Sequence, residues 1–503
     1  MARTSTAQAY KSRRATTQLS DPACEWDRNE LLELGEAIVA AAPQAWPLFQ
    51  RWLSAVRGLS DEACASFSVE SALTSLTSEL RRLWLRFAHE KADQSIKSPL
   101  RADTTSSPLG APIAFGYERS IQPNLLEDRC FAIAPAPRGW TVDDVLLSSA
   151  QDGLSAILHF ARANGFWDTS APHLKFAGNY FESQQILNIF AQGGLSWSRD
   201  KSISAVHAGD EGASRTMMTE PVFYDQAANV FEIGAFHRAW NRYAATPSLL
   251  VLDTTLTGPL FPIGDLLEPL GGEAAPIVVN FRSGLKLDQA GLELVNVGIV
   301  SIYRHRATLA ASTIDVGAQL RNLRTVLGAG LTLDEISTLE APWFLNRDYF
   351  RRYAAAVFEN NARLADELLI HNRMFAQVLH PRFARPRCGW AVAPYTLLRL
   401  QDEDPNQYRF LERVLSYEAE KRGLQFDLGG SFGFRGHRFE AVIPESGMGA
   451  PYLRVAMGAR SGPSWRGIVK LLAELASLND FRSLIERYEI QHANAATHRG
   501  MNS

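Results

Sequence analysis

Apolar residues recur every three or four positions through much of residues 25–95, which is the spacing of one buried face of an α-helix. The pattern covers the segments NELLELGEAIVAAAPQAWPLFQRWL and SALTSLTSELRRLWLRFAHEK. A polar segment with three prolines, SIKSPLRADTTSSPLGAP, follows and predicts a linker. We therefore expect residues 1–105 to form an N-terminal tail and a helical extension.

The pattern changes after this segment, because short apolar runs now alternate with amphipathic stretches. VDDVLL precedes the helical pattern GLSAILHFARANG, and SLLVLD and APIVVNF are further predicted strands. Strands that alternate with helices indicate an α/β domain with a mainly parallel sheet. We assign this large domain to residues 106–345.

The remaining residues, 346–503, begin with a long predicted helix, RDYFRRYAAAVFENNARLADELLIHN. Strand-like runs (WAVAPYTLLRL, PYLRVAMG) then mix with a further helical pattern, WRGIVKLLAELASLNDFRSLIERY. This mixture predicts a smaller α+β C-terminal domain.

Composition narrows the possible functions. The chain has 503 residues and a formal net charge of −3, so it lacks the basic surface expected of a nucleic-acid-binding protein. No apolar run reaches the ~18–20 residues that a membrane-spanning helix needs. The N-terminus has no secretory signal pattern, and its first twenty residues, rich in Ser, Thr and Arg, favour a disordered tail over a transit peptide. The four cysteines are widely spaced and form no metal-binding motif, so we expect a cytoplasmic protein without a metal site.

Candidate chemistry follows the predicted strands, since active sites of parallel sheets lie at the carboxyl ends of the strands. After VDDVLL comes the small, polar turn 148–156, which we expect to open a helix at about Leu154. Free N–H groups at a helix start bind phosphate well, although an ordinary capped turn has the same composition. Tyr180, in the segment 176–183, can stack on a flat ring or belong to the core.

Two charged residues follow the later strands. Asp253 ends SLLVLD, and a carboxylate at the end of a buried strand needs a cation or hydrogen-bond donors. A protonated pyridine nitrogen is such a cation, but a structural Asp that caps a turn is common. Lys286 follows APIVVNF with Ser283 three residues earlier, which suits a desolvated amine that forms a Schiff base. A lysine on a surface loop is the alternative.

The order and spacing of these residues, together with an upstream segment, resemble a known family. The upstream segment is Tyr117-Glu118-Arg119-Ser120-Ile121-Gln122-Pro123-Asn124-Leu125-Leu126-Glu127. It resembles the Tyr-x-Arg, Asn-Pro-Thr and Leu-Glu motif of the Cys/Met-metabolism enzymes, the cystathionine γ-synthase and β-lyase group. The later segments 153–156, 180–183, 253–255 and 283–286 follow in the family's order, and Arg454 in Leu-Arg-Val-Ala-Met-Gly is similar to its late arginine.

The resemblance spans residues 110–460 and implies an aspartate-aminotransferase-like fold with pyridoxal 5′-phosphate (PLP) as cofactor. It implies that Lys286 is the Schiff-base lysine and that Tyr180 stacks on the ring and assists proton transfer. The implied cofactor-binding residues are Asp152, Gly153, Leu154, Tyr180, Asp253, Thr255, Ser283, Lys286, Tyr117 and Arg119. Tyr117 and Arg119 would reach the phosphate of a neighbouring subunit, which implies a homodimer or a tetramer. Arg454 would hold the substrate carboxylate, although a surface ion pair is equally compatible with its position.

The resemblance implies β- or γ-elimination, or γ-replacement, on an amino-acid substrate. Two departures from the family indicate a specialised biosynthetic version: the helical extension, and the loss of the usual Asn near Tyr224. One possibility is expulsion of a γ-leaving group, such as the sulfonium of S-adenosylmethionine, with joining to a second small molecule by a C–C bond. A PLP-dependent aminotransferase is the alternative reaction, and a non-enzymatic scaffold is the alternative class.

Overall fold

A computed structural model of the protein describes most of the chain. The described residues are 23–59, 66–92, 96–100, 103–166, 173–200, 216–223, 229–240, 248–272, 274–311, 314–384, 388–444 and 449–488. Within them, no helix is both long and apolar enough to cross a lipid bilayer.

The helices and strands alternate through the middle of the chain, as the sequence predicts. The α-helices are α1 Ala23–Ala41, α2 Trp46–Arg57, α3 Phe67–Ala92, α4 Asn124–Ile133, α5 Ala150–Ala163, α6 Phe181–Gln192, α7 Ile233–Trp240, α8 Ile263–Leu267, α9 Arg306–Ala311, α10 Val316–Leu327, α11 Leu333–Leu339, α12 Arg347–His371, α13 Pro405–Arg422 and α14 Pro463–Ala476. The strands are β1 Asp103–Ser106, β2 Pro112–Phe115, β3 Trp140–Leu147, β4 His173–Ala177, β5 Ser196–Asp200, β6 Thr216–Thr219, β7 Leu249–Asp253, β8 Ile277–Ser283, β9 Gly298–His305, β10 Gln377–Leu379, β11 Thr396–Arg399, β12 Phe426–Leu428, β13 His437–Val442 and β14 Tyr452–Ala456.

The larger sheet has seven strands in the order β3-β9-β8-β7-β6-β4-β5. The strands β8, β7, β6, β4 and β5 pair in parallel, and β9 is antiparallel to both of its neighbours, β8 and β3. Six strands therefore run in one direction. The α/β class with a mainly parallel sheet is confirmed.

This topology brings distant parts of the sequence to one edge of the sheet. Since β3, β4, β6, β7 and β8 end at the same edge, the residues that follow them lie side by side. The apolar central residues of β7 and β8 are buried, so both strands lie in the interior of the sheet. The polar last residue of each strand, Asp253 and Ser283, then lies at that edge.

The smaller sheet has five strands in the order β10-β11-β14-β13-β12. Its pairings are antiparallel except for the parallel pair β12 and β13. The register places Glu440 of β13 directly opposite Arg454 of β14. The side chains of such cross-strand partners are neighbours on one face of the sheet.

The helical extension packs into the rest of the molecule. Leu31 of α1, Trp52 of α2 and Trp84 of α3 are buried in one hydrophobic cluster with Leu287 and Leu292, which follow Lys286 in the sequence. The indole N–H of Trp84 also donates a hydrogen bond of 2.8 Å to the Thr338 carbonyl. The extension is therefore part of the main hydrophobic core.

The segment that the sequence predicts to be a linker contains a β-hairpin. β1 pairs with β2 in antiparallel register, and the predicted boundary after residue 105 lies inside β1. The boundary after residue 345 lies just before α12, whose N-cap is Asn346. The division into three domains stays a prediction.

Candidate active site

A cavity of about 320 Å³ lies at the carboxyl edge of the larger sheet, where the smaller sheet approaches it. Residues after β3, β4, β7 and β8 form one side, and residues of the smaller sheet form the other. Among the described residues, the charged side chains that line it are Glu182, Asp253, Lys286, Glu440 and Arg454. The cavity therefore brings together three of the sequence-predicted residues, Asp253, Lys286 and Arg454.

Lys286 lies three residues beyond the end of β8, where the chain enters a short 3-10 helix, Leu287–Gln289. Its side chain is half-buried, and the ammonium lies 4.6 Å from the ring centroid of Phe432. Burial lowers the pKa of Lys286 to about 8, although the nearby Asp253 carboxylate opposes the shift. A larger fraction of its amine than in an exposed lysine is thus neutral, and nucleophilic, near neutral pH.

Asp253 ends β7 and also lines the cavity. Burial raises the pKa of its carboxyl, while hydrogen bonds from Thr255 and the charge of Lys286 oppose the rise. The Thr255 N–H donates to Asp253 Oδ1 at 2.9 Å, and Thr255 Oγ1 accepts from the Ser283 N–H at 3.1 Å. Thr255 therefore orients the carboxylate and ties the ends of β7 and β8 together.

Tyr180 lies at the start of α6, after β4, and lines the cavity. The Glu220 carboxylate, which follows β6, accepts hydrogen bonds from the backbone N–H groups of Asn179 at 3.0 Å and Tyr180 at 2.8 Å. The Tyr180 hydroxyl donates to Glu182 Oε2 at 2.6 Å, and the Gln151 side-chain amide donates to the same oxygen. Tyr180 is thus held by hydrogen bonds at its backbone and at its hydroxyl.

The helix after β3 begins earlier than the sequence predicts. Ser149 is the N-cap of α5, and its hydroxyl accepts from the Asp152 N–H at 3.0 Å. The Gly153 N–H donates to the Ser149 carbonyl at 3.1 Å. The N–H groups of Ala150 and Gln151 are the two remaining first-turn donors, and both of these residues line the cavity.

This start corrects the expected phosphate turn at 153–156, which lies inside the helix. The Asp152 carboxylate accepts from the hydroxyls of Ser148 and Ser149, and Asp152 is not among the described residues that line the cavity. Gly153 packs against the sheet, because a Cβ there would lie 3.0 Å from a methyl carbon of Val300. Leu154 does line the cavity.

Arg454 lines the cavity from the smaller sheet. Its guanidinium forms an ion pair with the Glu440 carboxylate and lies 5.8 Å from the ring centroid of Phe432. The ring of Phe432 thus lies close to both Lys286 and Arg454.

Tyr117 and Arg119 lie apart from this cavity. Tyr117 precedes a short 3-10 helix, Glu118–Ser120, and Arg119 lies within it. Both are on the surface, and Tyr117 is 45% exposed. The Arg119 guanidinium lies 5.3 Å from the Tyr117 ring centroid. Neither is among the described residues that line the cavity of their own chain.

Sequence reasoning missed several residues of the site. Gln151, Glu182 and Phe432 line the cavity, and Glu220 holds the backbone at Tyr180. Glu220 begins the segment 220–225, in which the family's usual Asn is lost near Tyr224. Tyr224 itself lies outside the described residues.

Arg435 and His437, which lie in a Gly-rich segment of the sequence, are buried. Arg435 is 3% exposed and His437 is 1% exposed. The Arg435 guanidinium donates to Asp27 and Glu30 of α1 and to the carbonyl of Ala290. These residues are structural neighbours of the loop that follows Lys286.

Comparison with known proteins identifies the fold. No protein-family model matches the chain, and no curated protein matches it significantly. Solved structures do match: a methionine γ-lyase from Micromonospora echinospora (18% identity, TM-score 0.53, 73% of this chain and 89% of that one) and a cystathionine γ-lyase from yeast (16%, 0.54, 78% and 98%). A cystathionine γ-synthase from Xanthomonas oryzae pv. oryzae matches with 16% identity and a TM-score of 0.53 over 72% of this chain and 89% of that one. The chain therefore has the α/β fold of these enzymes, the aspartate-aminotransferase-like fold that the sequence resemblance implies.

Proposed function

We propose that the protein is a PLP-dependent enzyme that eliminates or replaces a group at the β- or γ-carbon of an amino acid. The observation that carries the proposal is the pair Lys286 and Asp253 in one cavity. The first is a half-buried amine whose pKa is lowered to about 8, and the second is a half-buried carboxyl whose pKa is raised.

The residues present fit this cofactor. Burial of Asp253 without a cation in contact is costly, and a protonated ring nitrogen would supply the charge. The N–H groups of Ala150 and Gln151 at the start of α5 suit a phosphate. When bound, PLP supplies a protonated pyridine ring that accepts the electron pair left at the substrate α-carbon.

Each side chain of the cavity then has a defined task. Lys286 would hold the cofactor through Nζ, and its amine would move protons at the substrate α- and β-carbons. Asp253 would keep the ring nitrogen protonated. The Tyr180 ring would lie against the cofactor ring, and its hydroxyl is held in place by Glu182. Arg454 binds the substrate carboxylate through two parallel hydrogen bonds.

The sites are shared between subunits of a homodimer or tetramer under this proposal. Tyr117 and Arg119 lie on the surface and would contribute to the phosphate site of a second copy. A mixture of two inactive variants, Lys286→Ala and Arg119→Ala, should then regain activity after joint refolding, because one site of each mixed dimer is intact. Absence of any recovery in mixed dimers would contradict shared sites.

The family resemblance and the neighbours' names favour γ-chemistry in amino-acid metabolism, with a biosynthetic role. We include a sulfonium such as that of S-adenosylmethionine as leaving group, and C–C bond formation with a second small molecule, in the proposal. Release of a thioether from such a substrate, followed by liquid chromatography, tests this part.

The cofactor assignment is tested with purified protein supplied with PLP. The wild type should show a visible absorbance band that borohydride removes, and mass spectrometry should find a reduced pyridoxyl group on the peptide that contains Lys286. Lys286→Ala should lose this label, whereas Lys470→Ala, on the exposed surface of α14, should keep it. A wild type that takes up no PLP would overturn the proposal. Accumulation of the amine form of the cofactor with an amino acid would instead identify an aminotransferase.

A further inference from the structure

The cavity holds more acidic than basic groups. Among its described lining residues, the carboxylates are Glu182, Asp253 and Glu440, and the cations are Lys286 and Arg454. Under the proposed function, on which this inference rests, Lys286 carries the cofactor and Asp253 meets the ring nitrogen. Glu182 already accepts two hydrogen bonds, from the Tyr180 hydroxyl and the Gln151 amide. Glu440 is the acidic group that the proposed chemistry leaves unexplained.

Glu440 competes with the substrate for a single guanidinium. Its carboxylate pairs with Arg454, and Arg454 is the group that the proposal assigns to the substrate carboxylate. The side chain of Arg454 is 10% exposed and that of Glu440 is 34% exposed, so the pair lies at the wall of the cavity with limited access to water. When a substrate carboxylate binds, one guanidinium faces two carboxylates.

The sheet prevents Glu440 from leaving the cavity. Glu440 and Arg454 are directly opposite in the antiparallel pair β13 and β14, so their side chains stay neighbours whatever rotamers they adopt. The carboxylate also lies over Gly430, where a Cβ would be 3.5 Å from Oε1. The extra negative charge therefore remains beside the bound substrate.

We propose that Glu440 makes the cavity selective for amino acids whose side chain carries a positive charge, such as a sulfonium or an ammonium group. The substrate α-amino group is occupied by the cofactor, so the compensating cation has to come from the side chain. An amino acid with a neutral side chain leaves its own carboxylate and Glu440 to share the Arg454 guanidinium, and an acidic side chain adds a third carboxylate.

A sulfonium suits this arrangement also during the reaction. When the Cβ proton passes to the Lys286 amine, its electron pair forms the Cβ–Cγ double bond as the Cγ–S bond breaks. Both electrons of the Cγ–S bond stay on sulfur, and the leaving group departs as a neutral thioether. The attraction to Glu440 disappears with the charge. Glu440 therefore favours the substrate over the released product.

The test compares two ligands of nearly equal shape, S-methyl-L-methionine and L-methionine, on the PLP-loaded protein. Dissociation constants come from calorimetry and from the change in the visible band. We expect the wild type to bind the sulfonium about fivefold more tightly, which is the effect of one partly exposed ion pair. Glu440→Gln should bind the two ligands equally, and Glu440→Asp should keep part of the preference.

The matched control is Glu403→Gln. Glu403 forms an ion pair with Arg399 on the same sheet, is 58% exposed and is not among the described residues that line the cavity, so its removal should leave the preference intact. Equal binding of both ligands by the loaded wild type would overturn the role of Glu440 while leaving the cofactor assignment standing. A wild type without a visible band would overturn the proposed function itself.

Discussion

Replacement of Arg435 by methionine should destabilise the protein and, with it, the loop that carries Lys286. Arg435 Nη1 donates to Asp27 Oδ1 at 2.9 Å, and its other terminal nitrogen donates to Glu30. Its Nε donates to the Ala290 carbonyl at 3.0 Å, four residues beyond Lys286. One guanidinium thus neutralises two carboxylates of α1 and holds the backbone beside the proposed cofactor lysine.

The magnitude follows from the burial of all three side chains, each of which is at most 4% exposed. Removal of one member of a buried ion pair costs about 3–5 kcal/mol, because the remaining charge has no counter-charge. Asp27 keeps one partner, Arg460 Nε at 2.8 Å, whereas Glu30 loses the guanidinium that opposes its desolvation. We therefore expect most of the cost to fall on Glu30.

The cost should depend on pH. Burial raises the pKa of Glu30, and Arg435 opposes that rise, so the variant has a still higher folded-state pKa. The folded-state pKa of such a carboxyl lies above its unfolded-state value of 4.5. The protein therefore loses stability as the pH rises from 4.5 through the folded-state pKa. The loss in the variant should accordingly be smaller in mildly acidic than in mildly alkaline buffer.

Urea denaturation, followed by tryptophan fluorescence at two pH values, measures the effect. Trp52 and Trp84 lie in the extension and report its unfolding. The control is Arg57→Met, because Arg57 pairs with Glu36 on the surface, both side chains being 52% exposed, and such pairs contribute at most about 1 kcal/mol. A loss in Arg435→Met no larger than in the control, or one that shrinks as pH rises, would refute the reasoning.

Three further predictions concern the site and its support. Asp253→Asn should fold normally, as measured by circular dichroism. Its turnover in steady-state assays should be at least ~10²-fold slower, because a neutral amide cannot keep the ring nitrogen protonated. Unchanged turnover would contradict that role. Gly298→Ala should lower stability by about 1–3 kcal/mol in thermal unfolding, because its Cβ would lie 2.1 Å from the Ser149 carbonyl, whereas Gly389→Ala, with no atom within 4 Å, should not. The rate at which apoprotein captures PLP should rise through pH 8 and then level off in stopped-flow absorbance, because Lys286 reacts as the neutral amine; a rate that is flat there would contradict the lowered pKa.

The strand-end chemistry was predictable from local pattern. β7 and β8 are short apolar runs followed at once by polar residues, and a parallel sheet brings such positions to one edge. Asp253 and Lys286 could therefore be placed side by side without any knowledge of the rest of the chain.

The start of α5 was mispredicted because Gly153 looked like part of a turn. Its lack of a side chain serves the packing of the helix on the sheet, where Val300 approaches closely. The correct signal was Ser149 with Asp152 three residues later, a spacing typical of a helix N-terminus.

The burial of Arg435 and the position of Glu440 could not be predicted. Arg435 lies in a Gly-rich segment, but its partners are in α1, 408 and 405 residues away in the sequence. Glu440 belongs to the cavity only because β13 and β14 pair in one register. Neither the ion pairs of Arg435 nor the register of β13 and β14 can be predicted from a short segment of the sequence.

These long-range contacts also order events during synthesis of the chain. The carboxylates of α1 leave the ribosome first, and their counter-charge at Arg435 follows 408 residues later. At ~5–20 residues per second, this delay is roughly 20–80 s. Glu70 of α3 is likewise translated long before Ser464, whose hydroxyl donates a hydrogen bond to it. Helices α1 and α3 are thus translated long before the residues that complete their native contacts, and in the interval their buried side chains lack those partners.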